Sequence, residues 1–253
     1  MRHLAAAAAL LVLTTGVPAC GDDDGDDTGA ACDAFVAIDR DLSINEDLEA
    51  GIAALEGFVA SAPQEVAAQV EPFLARVRDD PEAAFESPEV AVAEEASDAW
   101  ALDNCADTRV DVEAVNFAFV GVPSEIEAGR VGFTLTNHTQ TDEAHEALLL
   151  RKDDGAIGSA HEILAEALDG RPLSVETTLG AFEELTLVGA GLVEPPDGDG
   201  YDVFVVDLDP GEYILVCLLP VDSTQHIEDY FGGAEIDSTY HFHSGMFAKL
   251  TVT

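Results

Sequence analysis

The chain has 253 residues, with 10 Lys plus Arg against 51 Asp plus Glu and a formal net charge of −41. A surface this acidic repels phosphate backbones and anionic headgroups, which excludes nucleic-acid binding through a basic face and electrostatic docking on lipid. Hydrophobic residues make up 47% of the chain, enough for a real core, and the length suits one large domain or two small ones.

At the N-terminus, Arg2 and His3 precede an apolar run from Leu4 to Thr15 that is too short to span a bilayer. Val17-Pro18-Ala19-Cys20 follows, and then Gly21 and an acidic tract from Asp22 to Asp27. This pattern resembles a bacterial lipoprotein signal, in which small residues precede a cysteine that is acylated after cleavage. The resemblance implies a signal peptide over 1–19 and lipidation of Cys20. It also implies a protein on the outer face of the cytoplasmic membrane, or in the periplasm or cell envelope, that touches the membrane through its lipid anchor only. An ordinary cleaved signal with an incidental cysteine is the alternative. Residues 20–30, rich in Gly and Asp, read as an acidic, self-repelling tether.

If Cys20 is lipidated, Cys32, Cys105 and Cys217 remain in an oxidising compartment, and one of them is left over. Cys32 and Cys105 bracket a stretch with helical periodicity, and a disulfide between them would close a long loop, worth about 4 kcal/mol. Within that stretch, Leu48, Ile52, Leu55 and Val59 fall on one helical face, as do Val66, Val70, Phe73 and Val77. Ser61-Ala62-Pro63-Gln64 reads as a capping box, Pro72 predicts a kinked or split helix, and Ser87-Pro88-Glu89 starts a helix running through Trp100. The sequence thus predicts a helical domain over 31–106, a bundle of about four helices. It holds no catalytic constellation, and a structural or docking role is expected for it.

After Thr108 the period changes to that of strands. These are predicted over 110–119, Val131–Thr136, Ala147–Arg151, Tyr201–Leu208, Glu212–Leu218 and Met246–Val252, with a turn at Asp209-Pro210-Gly211 and one helix over about 157–168. The expected fold class is α+β: a small N-terminal helical bundle followed by an antiparallel β-sandwich over 108–253 with one inserted helix.

Six of the seven histidines and Met246 lie in this second region. Pro210-Gly211-Glu212-Tyr213 leads into a strand ending at Cys217, and later come His241-Phe242-His243-Ser244-Gly245-Met246. Cys217 at a strand end, His241, and Met246 after a glycine are together similar to the cupredoxins, the blue or type 1 copper family, with His145 matching the family's earlier histidine. The resemblance implies a Greek-key sandwich holding one copper ion on His145, Cys217, His241 and an axial Met246. It implies electron transfer with some redox partner protein, or copper handling, and no enzyme activity. A thiolate, two imidazoles and a weak thioether suit an ion cycling between Cu(I) and Cu(II).

The chain departs from the family in the 23 residues that separate Cys217 from His241. His226 and His243 rival His241 as ligands, and His138 rives the same role from His145; His161, on the predicted helix, and Glu146 are expected to be solvated. Two other readings stay open: a metal-free cupredoxin-like binding or structural lipoprotein with Cys217 buried and inert, and a looser copper-storage site on His226, His241 and His243. No phosphate loop, zinc-protease motif or nucleophile elbow is present.

Overall fold

The computed structural model describes residues 26–45, 47–85, 87–174, 177–178, 182–194 and 201–253. The expected signal peptide, Cys20 and the first part of the tether lie outside the described residues. The remainder of the tether is not extended: helix α1 (Asp26–Ile38) begins inside it. Asp27 falls in the first turn, where negative charge offsets the helix dipole.

A π-helical turn (Asp39–Ile44) links α1 to α2 (Leu48–Ser61), and α3 (Gln64–Asp79), α4 (Pro81–Phe85) and α5 (Pro88–Asn104) complete the helical region. Their core is aromatic, with Phe58 packed against Phe35 and Trp100 at centroid distances of 6.0 and 5.5 Å. The face that α2 buries carries Gly51, Leu55 and Phe58, whereas Leu48 is exposed. Ser61 is not a cap: it ends α2, and its hydroxyl donates to the Gly57 carbonyl. Nor does Pro72 split its helix. Both Pro72 and Ala68, whose carbonyl loses a partner, face solvent, while Val66, Val70, Phe73, Leu74 and Val77 hold the opposite face. The disulfide Cys32–Cys105 forms as expected, tying α1 to the end of α5 across 73 residues.

The second region is a two-sheet sandwich. One sheet has the order β2-β1-β4-β7, built from β1 (Thr108–Ala114), β2 (Phe119–Val120), β4 (Gly129–Asn137) and β7 (Tyr201–Leu208). The other has the order β3-β9-β8-β5-β6, built from β3 (Glu125–Ile126), β5 (His145–Lys152), β6 (Leu185–Val193), β8 (Gly211–Val216) and β9 (Phe247–Val252). The expected fold class stands with one correction: the sandwich is mixed rather than wholly antiparallel, since β1 runs parallel to β4 and β3 parallel to β9. Helix α6 (Ala160–Leu168) is the predicted insertion, opened by a capping box between Ser159 and Glu162. The predicted strand around Val115–Phe119 shrinks to two residues, because the Val115 amide closes a turn onto the Ala118 carbonyl.

Val203, Phe204, Val205 and Val206 on β7 are all buried, without the alternation of a half-exposed strand. The reason is that both faces are covered. Phe204 and Val206 enter the sandwich core, whereas Val203 and Val205 join the helical core. Where α5 ends against β4, a side chain on Gly132 would meet Ala106 and Leu102 at 2.9 Å, so glycine permits the close approach. Arg130 spans the same junction, with ion pairs to Asp207 on β7 and Asp33 on α1.

Candidate metal centre

Three chain segments converge at one end of the sandwich. His145 opens β5, Cys217 directly follows β8, and His241 begins a 3-10 turn (His241–Ser244) that leads through Gly245 to Met246, just before β9. Gly245 has φ 103°, a conformation that side chains rarely adopt, and it turns the chain so that Met246 enters the core. All four of these side chains are 0% exposed.

The 23-residue excursion between Cys217 and His241 closes on itself at its base. The Val221 amide donates to Thr239, the His241 amide donates to Leu219, and Pro220 bridges Tyr240. Inside the excursion lies a helix that the sequence did not reveal, α7 (Ser223–Phe231), whose Tyr230 packs in the core. Its start is tied to the segment before β5: Glu143 accepts hydrogen bonds from the amides of Asp222 (2.9 Å) and Ser223 (2.7 Å) and from the Ser223 hydroxyl (2.7 Å). The same hydroxyl accepts from the Ala144 amide at 2.8 Å. Asn137 holds that segment from its other side, donating to the carbonyls of Glu143 and Glu194. The insertion therefore helps to build the site instead of holding its ends apart.

The donor atoms lie close together. His145 Nδ1 stands 3.3 Å from His241 Nδ1, and Cys217 Sγ stands 3.2 Å from His241 Nδ1. All three lie within 4.8 Å of one another. Met246 is linked to both neighbours through its backbone, its carbonyl accepting from the Cys217 amide (3.2 Å) and its amide donating to the His241 carbonyl (3.1 Å). Phe117 packs edge-on against His241 at 4.9 Å and walls one side.

Electrostatics keep the two imidazoles neutral, the form that binds a metal, and keep the thiol protonated, so that metal binding has to release its proton. Burial pushes the His145 pKa down to about 4, with His241 adding to the effect. Burial lowers that of His241 too, against an upward pull from Glu143. Burial also drives the Cys217 thiol well above its ordinary value, and the carboxylate of Glu146 adds to this; the backbone amides of Glu146 and Leu219 pull the other way. A carboxylate oxygen of Glu143 lies 3.4 Å from His241 Nε2, outside hydrogen-bond geometry, and its charge favours a proton on that nitrogen, which leaves the Nδ1 lone pair facing His145 and Cys217.

A single metal ion fits this arrangement. Bonds of about 2.0–2.3 Å to nitrogen and sulfur place donors roughly 3.3–3.8 Å apart around one ion, close to the spacing here. Two imidazole nitrogens and a sulfur facing one another in a dry interior gain little from each other without a cation between them. His145 Nε2 is buried with no hydrogen-bond partner among the described residues. The donor set is that of one type 1 copper ion.

Of the rival histidines, His138 and His243 are exposed, and His226 is half-buried on α7. None of them joins the cluster. His241 and His243 are separated by the 3-10 turn rather than by strand alternation. His161, expected to be solvated, is half-buried and packs on Phe247 and Phe242 at 4.4 and 5.4 Å. Glu146 corrects a second expectation. It is buried, its Oε1 accepts from the Leu218 amide at 2.8 Å, its own amide donates to Cys217 Sγ at 3.4 Å, and burial raises its pKa to about 7. Strand alternation does point it away from His145, but toward the covered face of the sheet and not toward water. Glu143 and Phe117 went unrecognised as neighbours of the cluster: a lone acid in a polar loop carries no spacing signal, and the alternation around Phe117 reads only as a strand.

No family model and no curated protein matches the chain. Among solved structures it is similar to auracyanin B, at 17% identity and a TM-score of 0.34, over 58% of this chain and 90% of that one. It is also similar to auracyanin A, a "blue" copper protein from the green thermophilic photosynthetic bacterium Chloroflexus aurantiacus, at 17% identity and a TM-score of 0.30, over 57% of this chain and 99% of that one. Reduced rusticyanin aligns at 20% identity and a TM-score of 0.30, over 57% of this chain and 79% of that one.

Proposed function

We propose that the chain is an exported, lipid-anchored cupredoxin-like protein that carries one copper ion on His145, Cys217 and His241, with Met246 as axial ligand, and exchanges electrons with a partner protein. The observation that carries the reading is the convergence of two imidazole Nδ1 atoms and one thiol sulfur, all fully buried, within 4.8 Å. Copper bound there supplies a one-electron couple. The chain's own part is to hold the donors. Three chain segments of a packed sandwich fix their positions, Glu143 lies beside His241, and two backbone amides offset part of the cost of a thiolate at Cys217. Little then needs to move when the charge at the site changes.

Export is supported by the signal-like N-terminus and by the Cys32–Cys105 disulfide, a bond that persists in oxidising compartments. The lipid anchor rests on Cys20 and its context in the sequence. The storage reading on His226, His241 and His243 is disfavoured, because only His241 of the three reaches the buried cluster.

Titration of the purified protein with Cu(II), read by visible absorption, tests the proposal. The expected result is one equivalent bound with an intense thiolate-to-copper band that disappears in Cys217→Ala. Tight Cu(I) binding without that band would replace electron transfer by copper handling, and failure to bind either ion would leave a metal-free sandwich with an inert thiol.

A further inference from the structure

A cavity of about 320 Å³ lies between the helical region and the sandwich, away from the metal-ligand cluster. This is the low end of the range for small-molecule sites, about 300–1,000 Å³. Its composition is unusual for a gap between two layers. Phe35, Phe58, Phe73, Phe85 and Phe231 contribute ring surface, and Glu94, Asp98, Glu146 and Asp202 contribute carboxyl groups. Among the described residues, no Lys, Arg or His lines it.

Among the described residues, none of these four acids forms an ion pair. Asp202 is held in place by the amides of Leu192 (2.6 Å) and Val203 (2.8 Å). Asp98 makes no hydrogen bond among the described residues, and it is close enough to Asp202, Glu94 and Asp39 to be repelled by all three. Glu146 forms part of the wall from β5; one of its oxygens is taken by the Leu218 amide, and among the described residues the other makes no hydrogen bond. Asp98 and Asp202 are half-buried and Glu146 is buried; holding carboxyl groups this close in a partly desolvated space is costly, so the arrangement gains most from a ligand that brings positive charge. Aromatic faces attract cations through the ring quadrupole, most strongly when the site is shielded from water. An inorganic ion would use the carboxylates and leave the rings idle. An organic cation uses both.

We propose that this cavity binds a small organic cation with an apolar body, an amine or quaternary ammonium, its charge set against Asp98, Asp202 and Glu94 and its apolar part against the phenylalanines. The site stands independently of the copper reading, since its charged groups and rings need no metal.

Benzyltrimethylammonium and its neutral isostere neopentylbenzene separate charge recognition from cavity filling. Trp100, the only tryptophan, packs on the cavity residue Phe58 and reports occupancy by its fluorescence, with titration calorimetry as the second readout. Saturable binding of the cation is expected, at least ten-fold tighter than that of the isostere. Asp98→Asn is expected to weaken it ten-fold or more, and Ala190→Leu, which fills the cavity from β6, to abolish it. Should Asp98→Asn fail to fold, the exposed Glu94→Gln carries the same test with a smaller expected loss, about three-fold. Equal affinity for the isostere, binding unchanged in the folded acid variants or in Ala190→Leu, or no saturable heat or fluorescence change with the cation would each overturn the proposal. So would calcium chloride displacing the cation at equal concentration.

Discussion

Replacing Glu143 tests how the long excursion after Cys217 is made part of the metal centre. The carboxylate is 5% exposed and accepts three hydrogen bonds at the start of α7, two of them from Ser223, which is 0% exposed. In Glu143→Ala, water can reach the Asp222 amide, which is at the surface, but not the two Ser223 donors. Hydrogen bonds to a charged acceptor contribute about 1.5–3 kcal/mol each, and the gain from no longer burying a carboxylate offsets part of the loss. The net cost is then about 3 kcal/mol, which for a chain of this size lowers Tm by roughly 6–12 °C. Glu143→Gln keeps the shape and one acceptor, so about 1 kcal/mol is expected. Both variants lose the carboxylate beside His241 Nε2, and metal affinity should fall about 10- to 100-fold in each. Urea unfolding measures the first effect and competition with a copper chelator the second. If Glu143→Ala costs under about 1 kcal/mol, or if the glutamine variant binds metal as tightly as the parent, then Glu143 neither anchors α7 nor positions His241.

Cys32→Ser with Cys105→Ser should lower the unfolding free energy by about 4 kcal/mol, read by urea denaturation, because the disulfide closes a 73-residue loop. Asp98 has its pKa raised to about 8 by burial and by the neighbouring Asp202, Glu94 and Asp39, so its protonated form suits the fold. Its contribution to stability is full below the unfolded-state value of 3.8 and is lost as pH rises through about 8. Asp98→Asn should therefore match the parent in urea unfolding at pH 4 and exceed it at pH 9; a constant difference across that range would refute the account. Gly245→Ala forces a side chain into φ 103° and should cost about 1–2 kcal/mol. Because that turn connects His241 to Met246, the copper absorption band should also shift.

The sequence made the architecture legible where one face of an element meets water. The inserted helix and the helical region follow from period and punctuation, whereas the Tyr201–Leu208 strand, covered on both faces, was legible as a short apolar run beside a turn. β6 did not, because Gly189 and Gly191 read as loop residues. A side chain at Gly189 would meet Phe204 at 2.7 Å, so the glycines mark close packing of the two sheets and not a break. The parallel pairing of β1 with β4 is a long-range choice that strand patterns cannot express. At the site, His145, Cys217, His241 and Met246 were singled out through their resemblance to the cupredoxin pattern rather than by any periodic signal. What lies behind them was not. α7 carries only Ile227, Tyr230 and Phe231 as apolar residues in nine, too few for a periodic signal in so short a helix.

Glu146 shows why such groups escape a reading by strand period. Alternation assigns each residue to one of two faces, but whether the second face is wet depends on what the rest of the chain lays over it. Here the helical region covers the sheet, and it turns an ostensibly solvated carboxyl group into a buried one that touches the Leu218 amide and donates its own amide to Cys217. The same covering layer encloses the cavity that Glu146 shares with Asp98 and Asp202. The helical region therefore does more than act as a spacer. It buries the carboxyl group behind Cys217 and lines one side of the cavity, so loss of the disulfide that ties α1 to α5 should disturb the cavity before it disturbs the histidines.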